Sequence, residues 1–270
     1  MSVQVNRGFI VERYKYPDDF INKIICGDCL EVMKEIPDKS IDLILTDMPY
    51  GSTACDWDKE QDLNKLWEIF KRIGKDDATY VFTASQPFTS KLIMSNLKWF
   101  KYEWIWNKKK PGNIFVAKYQ PLKIHENVLV FSNGKARYNA QMVKRDKIKR
   151  SKNYGTGEAM GGSRIPENKI YEYTHRYPVS IIEISNANQN NKIHPTQKPV
   201  ELMAYLIKTY TEEGDLVLDP FIGSGTTAIA CLELNRRFIG IEISPEYCEM
   251  AEERIKNFDS GINHKRLGFI

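Results

Sequence analysis

The chain has 270 residues, of which 42% are hydrophobic and 27% are charged. This hydrophobic content supports a sizeable core and excludes a wholly disordered chain. No apolar run approaches the roughly 20 residues that span a bilayer, and the first residues lack the apolar stretch of a secretory signal. The five cysteines are irregularly spaced and imply no disulfide framework. We therefore expect a reduced, cytoplasmic protein with no membrane partner.

Basic residues are concentrated in one segment of the chain. Lysine and arginine outnumber aspartate and glutamate by only 39 to 35 overall. Between positions 133 and 176, however, eleven basic residues stand against four acidic ones. A local excess of positive charge on an otherwise balanced chain indicates contact with a polyanion through one face.

Short apolar runs bounded by turn residues predict seven strands. They cover residues 23–27, 41–47, 78–83, 102–107, 127–132, 215–219 and 238–243. Apolar residues at helical spacing predict helices at 63–73, after Pro87, at 199–210, from the glycines at 223–225 to about 235, and after Ser244-Pro245. Strands that alternate with helices in this way are typical of a doubly wound α/β fold, here with a seven-stranded sheet.

Residues 133–193 interrupt this alternation. They include glycines, tyrosines and many basic residues, and they show little periodicity. We interpret them as a lobe inserted into a single domain, whose other two parts are residues 1–132 and 194–270.

A glycine-rich turn follows the sixth predicted strand. The strand ends at Asp219, the turn carries Gly223 and Gly225, and a helix follows directly. Glycine lets the backbone adopt a positive φ or lie against a ligand, and the amino end of a helix favours an anionic group. Glu242 lies near the end of the next predicted strand, where a carboxylate can hold a ribose diol. The turn is a candidate cofactor site, although alone it also fits a dinucleotide site or a turn without a ligand.

A polar tetrapeptide, Asp47-Met48-Pro49-Tyr50, stands at the end of the second predicted strand. Ligands bind at the carboxyl edge of an open α/β sheet. A carboxylate and a backbone carbonyl that accept both N–H groups of a nucleobase amine would localise its lone pair, which is otherwise delocalised into the ring. The tyrosine ring would stack on the base. Alone, the tetrapeptide fits such a site and a structural turn about equally well.

The tetrapeptide resembles the D-P-P-Y motif of amino-directed DNA methyltransferases, and DPFIGSGTT at 219–227 resembles their cofactor motif. The segments at 24–51, 85–88, 125–132 and 194–202 are also similar to segments of that family, in the same order. The catalytic motif precedes the cofactor motif, which is the permuted arrangement called the β class. The resemblance implies a Rossmann-like methyltransferase fold, a target-recognition region at 133–193 and S-adenosylmethionine as the methyl donor. It implies no metal.

The resemblance also implies roles for individual residues. Asp47 and the Met48 carbonyl would bind the target amine, Pro49 would keep the turn rigid, and Tyr50 would stack on a base flipped out of duplex DNA. The residues expected around the cofactor are Asp28, Asp219, Phe221, Gly223, Gly225, Glu242, His194, Thr196, Gln197 and Lys198. The residues expected to contact DNA are Lys108, Lys109, Lys110, Lys144, Arg145, Lys149 and Arg150.

Met48 departs from the family pattern, which has proline at this position. Because Pro49 follows, Met48 is still biased toward extended conformations, and its carbonyl should stay usable. We therefore expect activity, with a catalytically silent DNA-binding protein as the alternative. Asp47 at the first motif position favours adenine N6 as the target, since cytosine-N4 enzymes of this class more often carry serine there.

Other functions stay open at this stage. An N4-cytosine DNA methyltransferase or an RNA adenine methyltransferase would need the same tetrapeptide. A NAD-type oxidoreductase would explain the glycine turn but neither the tetrapeptide nor the basic segment. Double-stranded DNA is the expected partner, and the resemblance adds a homodimer and a cognate restriction endonuclease as further candidates. His125 is a candidate for the base pocket or for a structural role.

Overall fold

The computed structural model describes residues 14–50, 61–112, 114–152, 170–186 and 197–259. They form two compact units: a main unit, comprising the described residues up to Asn139 and from Ile181 onward, and a smaller unit between Ala140 and Ser180. The strands are β1 (Lys23–Cys26), β2 (Ile41–Thr46), β3 (Gly74–Ala84), β4 (Phe100–Asn107), β5 (His125–Ser132), β6 (Val143–Lys152), β7 (Ile170–Arg176), β8 (Ile181–Glu183), β9 (Leu216–Asp219) and β10 (Arg237–Glu242). The α-helices are α1 (Cys29–Val32), α2 (Leu63–Ile73), α3 (Phe88–Ser95), α4 (Val200–Tyr210), α5 (Thr226–Glu233) and α6 (Pro245–Asp259).

The main unit is built on an eight-stranded sheet in the order β1-β10-β9-β2-β3-β5-β4-β8. The five strands from β1 to β3 in this order pair in parallel, whereas β5 runs antiparallel to both β3 and β4. The chain proceeds outward from β9 to β10 on one side and from β2 to β3 on the other. The boundary between β9 and β2 is therefore the topological switch point, where open α/β sheets bind ligands.

Helices cover both faces of the sheet and bury its central strands. All residues of β2 and of β9 are buried. Residues of α1, α2 and α3 belong to one apolar cluster, and residues of α4, α5 and α6 belong to another. Two helical layers around a mostly parallel sheet confirm the predicted doubly wound α/β fold.

All seven predicted strands are present, and an eighth joins them. Strand β8 pairs in parallel with β4 and comes from the segment that we predicted to be irregular. Its three residues are too few to reveal an alternating pattern. A tertiary contact helps to fix its end, because Trp106 Nε1 donates a hydrogen bond of 2.8 Å to the carbonyl of Ile184.

The smaller unit contains an antiparallel pair, β6 with β7, whose register shifts between Lys144 and Lys149. Residues 133–139 and 181–186 belong to the main unit, so this compact unit is shorter than the lobe predicted at 133–193. Its role in target recognition stays a prediction. None of the helices in the described parts of the chain is long and apolar enough to cross a membrane.

Two glycines with nearly equal positive φ values provide a test of how tightly α5 packs on α6. Gly214 and Gly225 have φ values of +82° and +81°. A Cβ on Gly214 would meet nothing within 4 Å, whereas one on Gly225 would lie 3.0 Å from Ala251 Cβ and 3.2 Å from its Cα. Gly214→Ala should therefore cost only the left-handed strain, about 1–2 kcal/mol.

Gly225→Ala should cost about 1 kcal/mol or more beyond this value, because the backbone of α6 must also move. Urea unfolding of both variants would measure the difference. Equal losses of unfolding free energy would contradict the close packing of the two helices.

Candidate active site

The two motifs singled out in the sequence meet at the switch point. Strand β2 leads into the tetrapeptide that begins at Asp47, and the neighbouring strand β9 ends at Asp219. Thr46 Oγ1 donates a hydrogen bond of 2.6 Å to Asp219 Oδ1. Residues far apart in the sequence are thus joined directly, and the site is built on buried, rigid strand ends.

Asp219 holds the glycine turn in place. Its carboxylate also accepts hydrogen bonds from Thr227 Oγ1 at 2.6 Å and from the backbone N–H of Phe221 at 3.2 Å. Burial raises the pKa of this carboxyl to about 6, although its hydrogen bonds act in the opposite direction. The Asp219 side chain therefore fixes the local geometry of the turn by binding residues on both sides of the glycines.

Glu242 lies at the same edge, at the end of β10. One of its oxygens accepts from the backbone N–H of Gly223 and the other from that of Ser244, each at 2.9 Å. Each carboxylate oxygen has a further lone pair for a ligand. Gly223 has a φ of +52° and open space where a Cβ would stand, so its backbone can lie against a ligand.

Arg254, which the sequence analysis did not identify, supports the turn from α6. Its guanidinium donates to the Ser224 carbonyl at 2.6 Å, to Ser224 Oγ at 3.2 Å and to Thr226 Oγ1 at 3.4 Å. Ser224 Oγ in turn donates to Gln197 Oε1 at 3.3 Å. Burial lowers the pKa of Arg254. No local pattern distinguishes this arginine from the other charged residues of its helix.

Asp47 is the most densely contacted residue of the tetrapeptide. Its Oδ1 accepts hydrogen bonds from Tyr50 Oη at 2.5 Å and from Thr83 Oγ1, which lies near the end of β3. Lys198 Nζ lies 2.5 Å from Oδ2. The carboxylate is therefore held by donors from three separate segments of the chain.

Lys198 is part of an alternating series of charges, Asp47–Lys198–Glu126–Lys108. Its Nζ lies 3.4 Å from Glu126 Oε2, and Lys108 Nζ lies 3.0 Å from Glu126 Oε1. Burial opposes the charge of Lys198, but Asp47 and Glu126 outweigh it and raise the pKa. Burial likewise opposes ionisation of Glu126, but Lys198 and Lys108 lower the pKa overall. Both groups are therefore ionised at neutral pH.

The rest of the tetrapeptide is anchored by packing. Met48 is 2% exposed and belongs to the apolar cluster beneath the α1–α3 layer. The Tyr50 ring stacks on Phe88, with ring centroids 5.0 Å apart and planes inclined by 28°. Burial and the nearby carboxylates of Asp47 and Glu126 raise the pKa of Tyr50 well above its usual value. The tyrosine is therefore a neutral hydroxyl that can donate a hydrogen bond.

Other predicted cofactor residues lie at the same edge or outside the described residues. Asp28 caps α1, because its carboxylate accepts a hydrogen bond of 2.8 Å from the Leu30 N–H. It lies two residues after Cys26, which pairs in register with Glu242 on β10. Gln197 is buried beside Ser224. His194 and Thr196 lie outside the described residues.

The strand β5 presents a different residue to the site from the one that the sequence analysis considered. His125 is exposed, whereas the next residue, Glu126, joins the charge series. Neighbouring residues of a strand point to opposite faces. The segment was therefore identified from its sequence, but the inward-facing position was not.

The predicted DNA-contacting residues fall into three groups. Lys108 lies inside the charge series, with a side chain only 14% exposed. Lys109 and Lys110 are exposed, and Lys109 lies 3.5 Å from Glu183. The remaining residues, Lys144, Arg145, Lys149 and Arg150, lie on β6 of the smaller unit. Within that unit, Arg150 forms an exposed ion pair of 2.7 Å with Glu172, an interaction of little energetic weight.

A doubly wound sheet with both motifs at its switch point is the architecture of the methyltransferase fold. The sequence profile of a family described as DNA methylase matches residues 41–253. The chain therefore belongs to the DNA methylase family.

Individual relatives are similar over most of the chain. The chain is 31% identical to the Type II methyltransferase M.HpaI of Haemophilus parainfluenzae, across 89% of this chain and 76% of that protein. It is 29% identical to the DNA adenine methyltransferase YhdJ of Escherichia coli strain K12, across 86% of this chain and 82% of that one. A crystal structure of an M1.HpyAVI–SAM complex superposes with a TM-score of 0.61 at 26% identity, across 86% of this chain and 98% of that one.

The raised pKa of Asp219 predicts a specific pH dependence of stability. Its carboxyl binds a proton more tightly in the folded state, with a pKa of about 6, than at the ordinary value of 3.8. Between these values the folded state holds more protons, so this carboxyl lowers stability as the pH rises from about 4 to 6. Asp219→Asn removes this ionisation.

The stability of Asp219→Asn relative to the parent should therefore increase by up to about 3 kcal/mol between pH 4 and pH 7. Urea unfolding at a series of pH values would measure it. A difference between the two proteins that does not change with pH would contradict the assignment.

Removal of the ammonium between two carboxylates should destabilise the site. Lys198→Met leaves Asp47 and Glu126 without the cation that lies between them, at a cost of about 3 kcal/mol. Lys65→Met is the matched control, since Lys65 lies 3.9 Å from Asp62 in an exposed pair and should change stability by less than about 0.5 kcal/mol. Urea unfolding of both variants distinguishes the cases, and similar small effects would count against a buried charge series.

Proposed function

We propose that the protein is a β-class, site-specific DNA methyltransferase that transfers the methyl group of S-adenosylmethionine to the exocyclic N6 of adenine in double-stranded DNA. The observation that carries this proposal is the position of Asp47. Its carboxylate stands at the end of β2, beside the glycine turn that follows β9. An acceptor for an amine and a site for a methyl donor are therefore adjacent.

S-adenosylmethionine, when bound, supplies an electrophilic methyl group on a positively charged sulfur. Two features of the turn fit this cofactor: the open space beside Gly223 and the remaining lone pairs of Glu242. Glu242 would hold the ribose hydroxyls, and Asp28 would contact the adenine ring of the cofactor. The other residues proposed around the cofactor are Asp219, Phe221, Gly223, Gly225, His194, Thr196, Gln197 and Lys198.

The target amine would be activated by hydrogen bonding. Asp47 and the Met48 carbonyl accept its N–H groups, which keeps the nitrogen lone pair from delocalising into the ring. Asp47 can also accept the proton that leaves the nitrogen after methylation. Lys198 Nζ contacts one oxygen of Asp47 and lies 3.4 Å from Glu126, so Glu126 can pair with this ammonium while Asp47 binds the amine. Tyr50 has Phe88 on one side and would stack on the flipped base with the other.

Asp47 supports adenine as the target, in line with the family tendency at this motif position. An N4-cytosine enzyme is the alternative that shares the same chemistry, since both targets are exocyclic amines. A catalytically silent DNA-binding protein is the alternative from another class. The packed position of Met48 favours the active enzyme, because the substitution leaves the tetrapeptide anchored.

Double-stranded DNA is the proposed partner. Exposed lysines at 109 and 110 and the basic residues of β6 supply positive charge for phosphate contacts. A homodimer and a cognate restriction endonuclease are further proposals from the family. A sedimentation experiment that detects only the 31.4 kDa species would argue against the dimer.

The function can be tested by identifying the product. The protein is incubated with unmethylated genomic DNA and methyl-labelled S-adenosylmethionine, and the DNA is digested to nucleosides. We expect label in N6-methyl-2′-deoxyadenosine. Asp47→Asn should lower the rate at least about a hundredfold, since an amide cannot accept from the amine with the strength of a carboxylate.

Asp76→Asn is the control, because Asp76 is an exposed carboxylate that pairs with the likewise exposed Lys39; it should match the parent. Cofactor binding by calorimetry should be retained in both variants. Label in N4-methyl-2′-deoxycytidine would replace adenine N6 by cytosine N4 as the target atom while keeping the enzyme class. Label in neither nucleoside, with the cofactor still bound, would overturn the DNA methyltransferase activity.

A further inference from the structure

The connection between β4 and β5 carries large apolar side chains in full contact with solvent. Ile114 is 65% exposed, Phe115 86% and Tyr119 87%. Aromatic residues usually bury most of their surface, so two of them exposed in one short turn call for a partner. We refer to residues 114–120 as the aromatic turn.

The aromatic turn has internal order. The backbone N–H of Ala117 donates to the Ile114 carbonyl at 3.2 Å, and those of Tyr119 and Gln120 donate to the Val116 carbonyl at 2.9 and 3.0 Å. The two aromatic side chains are thus presented by a hydrogen-bonded turn. Ordering such a turn in advance lowers the entropic cost of binding.

Both ends of this connection are attached to the active site. On the β4 side, Lys108 pairs with Glu126 at 3.0 Å. On the β5 side, Lys123 Nζ donates to Ser85 Oγ, two residues after Thr83, which contacts Asp47. The backbone N–H of Lys108 donates to the Ile124 carbonyl at 2.9 Å and closes the base of the connection. The segments that carry the aromatic turn are therefore held beside the proposed base pocket.

The charge of this connection selects the class of partner. Residues 108–124 contain five lysines and no aspartate or glutamate. Lys109, Lys110 and Lys118 are exposed. Aromatic rings interleaved with lysines match a nucleic acid, whose bases stack on the rings while its phosphates bind the ammonium groups.

We propose that Phe115 and Tyr119 stack on bases of the DNA duplex next to the target when the target leaves the helix, while Lys109, Lys110 and Lys118 bind the flanking phosphates. This inference rests on the proposed function, since it assigns the step that opens the duplex for that site. Extruding a base costs the free energy of its lost stacking and pairing. Apolar and aromatic side chains that insert beside the opened step recover part of this cost.

The test compares two DNA duplexes that differ only in the free energy needed to extrude the target base. The methylated site is first mapped by sequencing genomic DNA labelled by the parent protein. Two short duplexes are then made with that site, one fully paired and one with an abasic position opposite the target base. Phe115→Ala combined with Tyr119→Ala should lower kcat/KM on the paired duplex by about tenfold or more. On the abasic duplex, where no partner base has to be displaced, the loss should stay within about threefold.

Met94→Ala is the matched control, since Met94 is 69% exposed on α3 and should leave kcat/KM unchanged on both duplexes. Thermal unfolding and cofactor binding of the double variant should equal those of the parent, because the replaced side chains are exposed. Equal losses on both duplexes, or no loss on the paired one, would overturn the stacking role while the methyltransferase activity stands. A parent protein that methylates no DNA would instead refute the proposed function, and the stacking role with it.

Discussion

The parallel pairing of β2 with β9 is the constraint on which the site depends. All residues of both strands are buried, so a slip in register would draw polar residues from the strand ends into the apolar core. Their carboxyl ends bring the tetrapeptide and the glycine turn together, and the hydrogen bond from Thr46 to Asp219 joins them. The strands on either side of this pair complete the site. Strand β3, next to β2, places Thr83 beside Asp47, and strand β10, next to β9, places Glu242 beside Gly223.

Asp219 and Asp47 both lie at the carboxyl edge of the sheet, but their surroundings differ, and so do the contacts that each can make. Asp219 is surrounded by hydroxyl and backbone donors, and its burial raises the pKa; its contacts make it a support for the turn. Asp47 faces the ammonium of Lys198 and lies at the start of an alternating charge series. In a medium of low polarity such charges need partners. The series supplies these partners, so the carboxylate that we propose as the acceptor of the target amine is oriented by the fold itself.

Much of the fold was visible in local patterns, whereas several contacts of the site were not. Apolar runs predicted seven of the eight strands of the main sheet, and the glycine turn and tetrapeptide were placed correctly at strand ends. Lys198 was predicted from the family as a cofactor residue, and the fold places its ammonium against Asp47. Glu126 and Arg254 were missed, because their roles depend on partners 72 and 30 positions away in the sequence.

The sequence by itself determined the order of the motifs and hence the resemblance to amino-directed DNA methyltransferases, since each motif is a short run of residues whose chemistry is local. The tertiary structure decided which charges meet, because ion pairing depends on the order of strands in the sheet and on which face of a strand points inward. It also revealed the exposed aromatic turn, since exposure is a property of the packed chain. Short-range patterns encode the elements, and only the non-local pairing of those elements assembles the charges into a site.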